Sequence, residues 1–420
     1  MEKLTIENFA GIESLEIDLN NINLLLGPQA SGKSISAKLM FYFKSFIGEI
    51  REGIEDEKSK REIDKEHINK FNTYFPKESW PNDDFSIKYI SNTTEISITR
   101  TNGKPLKLDY SSNIKRIINT SRNILKKEQE KFKSSKRISH YEISRSFTKK
   151  YNALISNEIS KCAVYNQVFI PAGRSFFSNI QSSIFSFLSS NKSLDPFLIQ
   201  FGSFYESFKR FATDDIYIDD KSKIDKAFES IISNILNSDY IREKDKDYLM
   251  HSDKRKVNLS NASSGQQEIL PLLIILKGLL RITFSGEGAV LYIEEPEAHL
   301  SPTAQKMVVR LFARIFNSSK NDFQLIVTTH SPYILSSFNN LMYAGHLTRV
   351  LEPEKTKLIY DIVPRSEVVQ PNNVYAYSLT SKKEIENLID DETKLISQNI
   401  LDDVSNEISI EFGKLLDLEM

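Results

Sequence analysis

The chain has 420 residues, 40% of them hydrophobic and 26% charged, an ordinary globular composition with enough length for two or three domains' worth of core. Its formal net charge of −1 excludes a whole-molecule bias toward nucleic acid or a membrane surface, so any such bias must be local. The one cysteine, Cys162, excludes an internal disulfide framework and a cysteine-rich zinc site.

No apolar run reaches the roughly 18–20 residues of a membrane span. Met1-Glu2-Lys3-Leu4-Thr5-Ile6 enters a strand with no signal-peptide pattern, so a cytoplasmic protein without membrane attachment is expected. Leu4 and Ile6, then Leu15, Ile17 and Leu19, alternate on either side of Gly11 and predict a hairpin. It feeds Ile22-Asn23-Leu24-Leu25-Leu26, an apolar run that reads as a buried strand. That strand runs into Gly27-Pro28-Gln29-Ala30-Ser31-Gly32-Lys33-Ser34, and Ile35 to Met40 reads as a helix. Strand, glycine loop and helix are the context that the pattern of Gly, four residues, Gly-Lys-Ser requires. The glycines let successive N–H groups turn inward on phosphate oxygens, and the helix N-terminus adds the positive end of its dipole. Lys33 would reach the β- and γ-phosphates and the Ser34 hydroxyl would ligate Mg²⁺. A plain glycine turn before a helix is the bland alternative, and motif plus context outweigh it.

Residues 49–72 carry dense charge of both signs and read as a solvated helix. Phe85–Ile90, Glu95–Arg100 and Leu106–Tyr110 each alternate, predicting an antiparallel meander with a tight turn at Asn102-Gly103. Residues 113–161 are helical in pattern and basic, with thirteen Lys or Arg against four acids. A nucleic-acid or acidic-partner surface and a solvated arm explain that excess equally well. Ala163 to Ile170 reads as a strand ended by Pro171-Ala172-Gly173-Arg174. Residues 175–250 look helical, and their many aromatics predict a lobe with a small core of its own. Asp214-Asp215 and Asp219-Asp220 read as a charged loop, since nothing nearby completes a metal site.

Ala262-Ser263-Ser264-Gly265-Gln266 opens an apolar helix. Ala289-Val290-Leu291-Tyr292-Ile293 is a buried strand ending on Glu294-Glu295-Pro296-Glu297, and Phe323 to Thr329 is another, ending on His330-Ser331-Pro332. Strands alternating with helices predict an α/β fold with a mostly parallel, helix-covered sheet. Thr348–Leu351 and Lys357–Val363 look strand-like. The stretch from Ser381 carries eleven acids against four bases, with helical periodicity at Ile385, Leu388 and Ile389 and again from Leu401 to Leu416.

Phosphoryl transfer to water needs a carboxylate for the metal, a group that orients water, and a sensor of the γ-phosphate. Glu294 suits the first task, Glu295 the second and His330 the third. Each alone is weak evidence, since a lone strand-end histidine is usually structural; their order after a phosphate loop is what carries weight.

In these motifs the sequence resembles an ABC-type ATPase of the SMC, Rad50, RecF and OLD branch. The matching pieces are the opening Leu4-Thr5-Ile6-Glu7-Asn8-Phe9-Ala10-Gly11, Gly27–Ser34 as Walker A, Ala262–Gln266 as signature, Ile293–Leu300 as Walker B with D-loop, and Thr328–Pro332 as H-loop. Glu294 stands where an aspartate is usual, and Ser264 where a second glycine is usual. The resemblance implies a P-loop fold with an antiparallel β subdomain and a helical insert, and implies ATP and Mg²⁺ as cofactors. It implies Ser34, Glu294 and a Q-loop residue around the metal. Gln167 lies in the Q-loop region, with Arg174 a rival for the phosphate-sensing role. Ser263, Ser264, Gly265 and Gln266 of one subunit would close over ATP bound by another, so a dimer or higher homo-oligomer is implied. No TOPRIM-type acid set follows His330, and the remaining likeness is to ATPase subunits of two-gene anti-phage systems such as PARIS and Septu. There a separate effector, often a nuclease, answers to the ATPase, with DNA or a phage protein as trigger. A RecF-like DNA-repair ATPase is the alternative. The expected organisation is an ATPase core from 1–48, 160–175 and 257–380, a charged insert with meander and basic arm at 49–159, a helical lobe at 176–256 and an acidic helical tail at 381–420. Replacing Lys33 with alanine is expected to abolish nucleotide binding in a titration with a fluorescent ATP analogue.

Overall fold

Ile22–Leu26 forms a strand, β3, whose residues are all buried, as its unbroken apolar run requires. The computed structural model describes residues 1–80, 84–133, 140–179, 194–213, 226–244, 246–281, 288–318, 322–380, 384–397 and 410–411. β3 lies inside a six-stranded sheet of order β14-β13-β3-β12-β11-β7, with β7 at Asn166–Ile170, β11 at Gly288–Glu294, β12 at Asp322–Thr329, β13 at Val374–Leu379 and β14 at Ile385–Asn387. All neighbours pair in parallel except β13 and β14. Leu26 stands opposite Thr329, Thr328 opposite Glu294, and Ile293 opposite Ile170, so the C-terminal ends of the central strands finish together. In an open α/β sheet that edge is where ligands bind.

The second sheet has the order β2-β1-β4-β5-β6. The opening hairpin, β1 (Glu2–Phe9) and β2 (Ile12–Leu19), turns through Ala10 and Gly11, both at positive φ. The predicted meander, β4 (Phe85–Ser91), β5 (Thr94–Arg100) and β6 (Lys107–Tyr110), continues from β1 through pairs such as Leu4 with Tyr89. Meander and hairpin therefore form one sheet. Asn102 and Gly103 both take left-handed backbone between β5 and β6, as the Asn-Gly pair predicts.

Helix α1 (Lys33–Glu55) runs between the two sheets and buries Leu39, Met40, Phe41, Tyr42, Phe43 and Phe46. On the main sheet Leu25, Val290, Tyr292 and Ile326 face this layer. Leu24, Leu26, Leu291, Ile293, Leu325 and Val327 face the other, which is covered by helices that include α8 (Ser264–Arg281), α9 (Pro302–Phe316) and α10 (Pro332–Val350). The basic arm is a helix pair, α3 (Ser112–Lys133) and α4 (His140–Glu158).

Five stretches differ from the reading of the sequence. β8 (Asp239–Glu243) and β9 (Lys246–Met250) lie inside the stretch expected to be helical, and with β10 (Lys256–Asn258) beyond it they form a three-stranded antiparallel sheet. Charges dilute its alternation, and of β9 only Asp247 and Leu249 are buried. The aromatics of α6 (Pro196–Thr213) make no separate core: Phe201, Tyr205 and Phe208 pack into the cluster that covers the main sheet. Thr348–Val350 ends α10, and Lys357–Ile362 lies in α11 (Pro353–Ile362). Pro332 and Pro353 at the first helical turn start these two helices, overriding the β-branched residues near their ends. Ile385 begins β14, not a helix, and the Leu388 N–H donates to Ala376 O on β13, extending the sheet. The Asp214-Asp215 and Asp219-Asp220 pairs and the periodicity at 401–409 and 412–416 lie outside the described residues.

The helix that carries Lys33 and Ser34 is tied to α2 (Lys60–Tyr74) by Glu49, whose carboxylate meets both His67 and Lys70. The His67 ring stacks between Tyr42 and Phe46. Burial alone would raise the Glu49 carboxyl, but His67 and Lys70 bring it down to about 2. A depressed carboxyl contributes stability above its unfolded pKa of roughly 4.5 and loses it as pH falls toward 2. Burial in turn lowers the His67 pKa, so at pH 7 the Lys70 ammonium is the cation that faces Glu49; Glu49→Gln is therefore expected to lower stability at pH 7 and to flatten its fall between pH 5 and 2.5, read as urea midpoints across that range.

Candidate functional site

β3 delivers the chain to the phosphate loop at Gly27. Gly27 and Gly32 take φ of 151° and 100°, and Ala30 sits at 59°. A Cβ on Gly27 would stand 2.2 Å from the carbonyl oxygen of Leu379 on β13, so only glycine fits. Gly32 caps α1, and Lys33 and Ser34 are its first two residues. Pro28 and Gln29 form the exposed rim of the loop, and Ser31 is buried beneath it. The Lys33 ammonium donates to Gly27 O and Pro28 O, each at 2.6 Å, and stands 3.5 Å from Ser31 Oγ. Burial lowers its pKa, while the charges of Glu295 and Glu297 oppose that shift.

Glu294 closes β11 and is buried. Burial raises its carboxyl, against Lys38, the Ser34 hydroxyl and the Ala172 N–H, which donates to Oε2 at 3.3 Å. The other oxygen, Oε1, is buried without a hydrogen-bond partner. A buried carboxylate with one unpartnered oxygen and a serine hydroxyl beside it is a hard-oxygen donor pair that suits Mg²⁺, which takes one or two protein ligands and fills the rest of its shell with phosphates and water. Among the described residues no group of three or more His, Cys, Asp or Glu could hold a metal ion.

Glu295, one residue beyond the strand, takes left-handed backbone at φ 43° and donates its N–H to Thr328 O at 2.9 Å. That conformation is costly for a residue with a side chain and is typical of functional positions. The Glu295 carboxylate stands beside His330, whose Nδ1 is 3.9 Å from Oε1. His330, half exposed at the end of β12, is held by Glu297. The buried Glu297 carboxylate accepts the His330 N–H at 2.7 Å and the Thr329 hydroxyl at 2.8 Å, and lies 3.3 Å from His330 Nδ1. Sequence reading gave Glu297 no task. The available signal was a third acid two residues past the pair, in a segment between candidate site residues. Lys38 was also missed; one turn beyond Ser34, it pairs with Asp195 at 2.6 Å.

Ser263 caps α8 through reciprocal bonds with Gln266: the Ser263 N–H donates to Gln266 Oε1 at 3.2 Å and the Gln266 N–H to Ser263 Oγ at 3.3 Å. Gln266 also donates to Leu236 O in α7 (Lys226–Leu236). A Cβ on Gly265 would stand 2.6 Å from His299 O, so the signature helix lies directly against the segment after Glu297. Ser263 and Ser264 remain exposed.

Gln167 is the correction. It sits near the start of β7, opposite Val290, four residues before Glu294, about 13 Å away at ~3.3 Å per strand residue. Its amide accepts from Tyr292 OH and donates to Tyr165 O, both at 2.7 Å. It stands at the wrong end of the strand for a metal ligand. Its rival Arg174 is fully buried, with its guanidinium turned onto backbone carbonyls, so it presents no donor to a phosphate at the surface.

The sheet order, the glycine cradle at the end of β3, the acids ending β11, the histidine ending β12 and a serine-capped signature helix define an ABC-type P-loop ATPase. The chain belongs to the AAA_15 family, an AAA ATPase domain, whose family model matches residues 1–335. No match was found among curated proteins. Among solved structures it is similar to the SMC head domain from Thermotoga maritima, at 10% identity over 80% of this chain and 90% of that one, with a TM-score of 0.35. It is also similar to an Smc head bound to the C-terminal winged-helix domain of ScpA, at 12% identity, 92% and 96% coverage and a TM-score of 0.38. The Smc head with extended coiled coil bound to the ScpA C-terminal domain, derived from Pyrococcus furiosus, gives 11% identity, 97% and 100% coverage and a TM-score of 0.37.

Glu297→Ala leaves two donors of the histidine loop without their acceptor. At about 1–3 kcal/mol for such a loss, the variant is expected to lower kcat about tenfold or more with nucleotide affinity within about twofold, read by steady-state ATP hydrolysis and equilibrium binding.

Proposed function

We propose that two or more copies of this chain clasp ATP between them, each phosphate loop being completed by the signature of a neighbour. The observation that carries this is the exposed Ser263-Ser264 pair at the N-terminus of α8, on a helix start that Gln266 and Gly265 fix against Leu236 and His299 of the same chain. A second helix N-terminus led by exposed serines is an anion-friendly cradle. Within one subunit it would be redundant with the phosphate loop. In this reading Lys33 holds the β- and γ-phosphates, and Gly27 to Gly32 wrap them with backbone N–H groups. Ser34 and Glu294 hold Mg²⁺, which supplies charge neutralisation on the phosphate oxygens. Glu295 orients and deprotonates the attacking water, and His330, set by Glu297, touches the γ-phosphate or that water. Closure on ATP and release on hydrolysis then make the assembly a switch.

The resemblance of the motif set extends the proposal: a cytoplasmic sensor and scaffold in anti-phage defence that holds or frees a separate effector, a nuclease in the first instance. Among the described residues no helix is long and apolar enough to cross a membrane. A second reading, a DNA-binding repair ATPase, is favoured by the basic arm, where Lys115, Lys126, Lys127, Arg145 and Lys149 are exposed. Tight DNA binding that weakens steeply with salt would select it. ATP hydrolysis independent of DNA, with co-purification of a second protein, selects the defence reading.

Glu295→Gln is expected to bind ATP, hydrolyse it at least a hundredfold more slowly and accumulate as an ATP-dependent dimer or larger assembly by light scattering. Hydrolysis at the parental rate removes Glu295 from its role. A monomer that turns over ATP fully sinks the composite site.

A further inference from the structure

The loop after β7 sends one side chain into the centre of the molecule. Arg174 has no exposed side-chain surface and Glu268, its ionic partner on α8, has almost none. A guanidinium has five N–H donors in a rigid plane, and here four of them donate to backbone carbonyls while the Glu268 carboxylate supplies the opposite charge. Nε donates to Glu268 O at 3.1 Å. Nη1 donates to Pro171 O at 3.0 Å and to Glu294 O at 2.7 Å. Nη2 donates to Glu295 O at 3.1 Å and lies 3.2 Å from Glu268 Oε1. The Glu268 carboxylate in turn accepts the N–H groups of Arg174 and Ser175, at 3.0 and 2.9 Å. One fork thus grips two places at once. On one side is α8, one turn beyond Ser264; on the other is the peptide chain of Glu294 and Glu295, where the backbone enters the left-handed region.

A buried ion pair of this kind is weak evidence for stability as such, and its better-attested use is to fix one arrangement against alternatives. What it fixes here is the position of the signature end of α8 relative to the two carboxylates. We propose that Arg174 is a positioning residue that couples the signature helix to the Glu294–Glu295 peptide, so that a nucleotide engaged at Ser263 and Ser264 sets the carboxylates of the same chain's own phosphate site. The coupling rests on the composite-site reading above. Arg174 does not touch nucleotide: it acts through backbone carbonyls, and a lysine, with a point charge and no planar fork, cannot hold α8 and β11 together in this way.

The test is Arg174→Lys in the full chain, alone and combined with Glu295→Gln. The single variant is expected to lose at least tenfold in kcat, with affinity for a fluorescent ATP analogue within twofold of the parent. The double variant is expected to form at least fivefold less ATP-dependent assembly than Glu295→Gln alone. Glu268→Gln, which keeps the shape and an acceptor oxygen, is expected to move kcat the same way by a smaller factor, and it decides the matter if Arg174→Lys shows no cooperative melting transition. A kcat within twofold of the parent in the variant that folds overturns the proposal. So does a loss of affinity as large as the loss of kcat, which would make Arg174 part of nucleotide binding. If Glu295→Gln forms no assembly with ATP, the composite site fails separately; the split between kcat and affinity in Arg174→Lys then still decides whether Arg174 sets the carboxylates.

Discussion

Everything at the nucleotide edge depends on the register of the central parallel strands. Leu26 stands level with Thr329, Glu294 with Thr328, and Ile170 with Ile293. A slip of one residue would turn every side chain to the opposite face of the sheet. Both faces are buried, with Leu25, Val290 and Ile326 packed toward α1 and Leu24, Leu291 and Val327 toward α8. Any slip would bring the wrong residues into both layers together. Packing far below the edge therefore specifies, to a fraction of a residue, where the phosphate loop, the acids and the histidine emerge.

Three glutamates within four positions take three different environments from that edge. Glu294 ends the strand, buried, with one oxygen unpartnered. Glu295 takes left-handed backbone and stands beside His330. Glu297, after the turn at Pro296, folds back under β12 and anchors the next loop. Identical side chains are given different tasks by backbone geometry and burial alone, without any change in residue type. The fork of Arg174 sits under the first two and is itself pinned by Glu268, so the acids rest on buried charge.

Much of this was legible in the sequence where physics leaves a local trace. Ile22–Leu26, Ala289–Ile293 and Phe323–Thr329 are buried on both faces and so read as unbroken apolar runs. The glycine loop, the paired acids and the serine-led helix are set by spacing along the chain. What stayed hidden depends on a third dimension. Gln167 has the right residue type for a metal neighbour, but a strand has two ends, and only the pairing with Val290 reveals which one it occupies. Glu297 shows its task only once β12 lies beside the turn that carries it. Arg174 could be read as facing outward or inward until its carbonyl partners were placed. Val374–Leu379 alternates only faintly, because two tyrosines take the outward positions of a short strand.

That strand changes where the working unit stops. The family match closes at residue 335, within α10. β13 lies some forty residues further on, yet it is hydrogen-bonded along the free flank of β3, and its final carbonyl presses against the first glycine of the phosphate loop. The region that defines kinship is thus shorter than the region that folds. A fragment cut at the border of the shared domain would carry every hallmark motif and still leave its cradle with one wall missing and a raw sheet edge open to whatever strand came near.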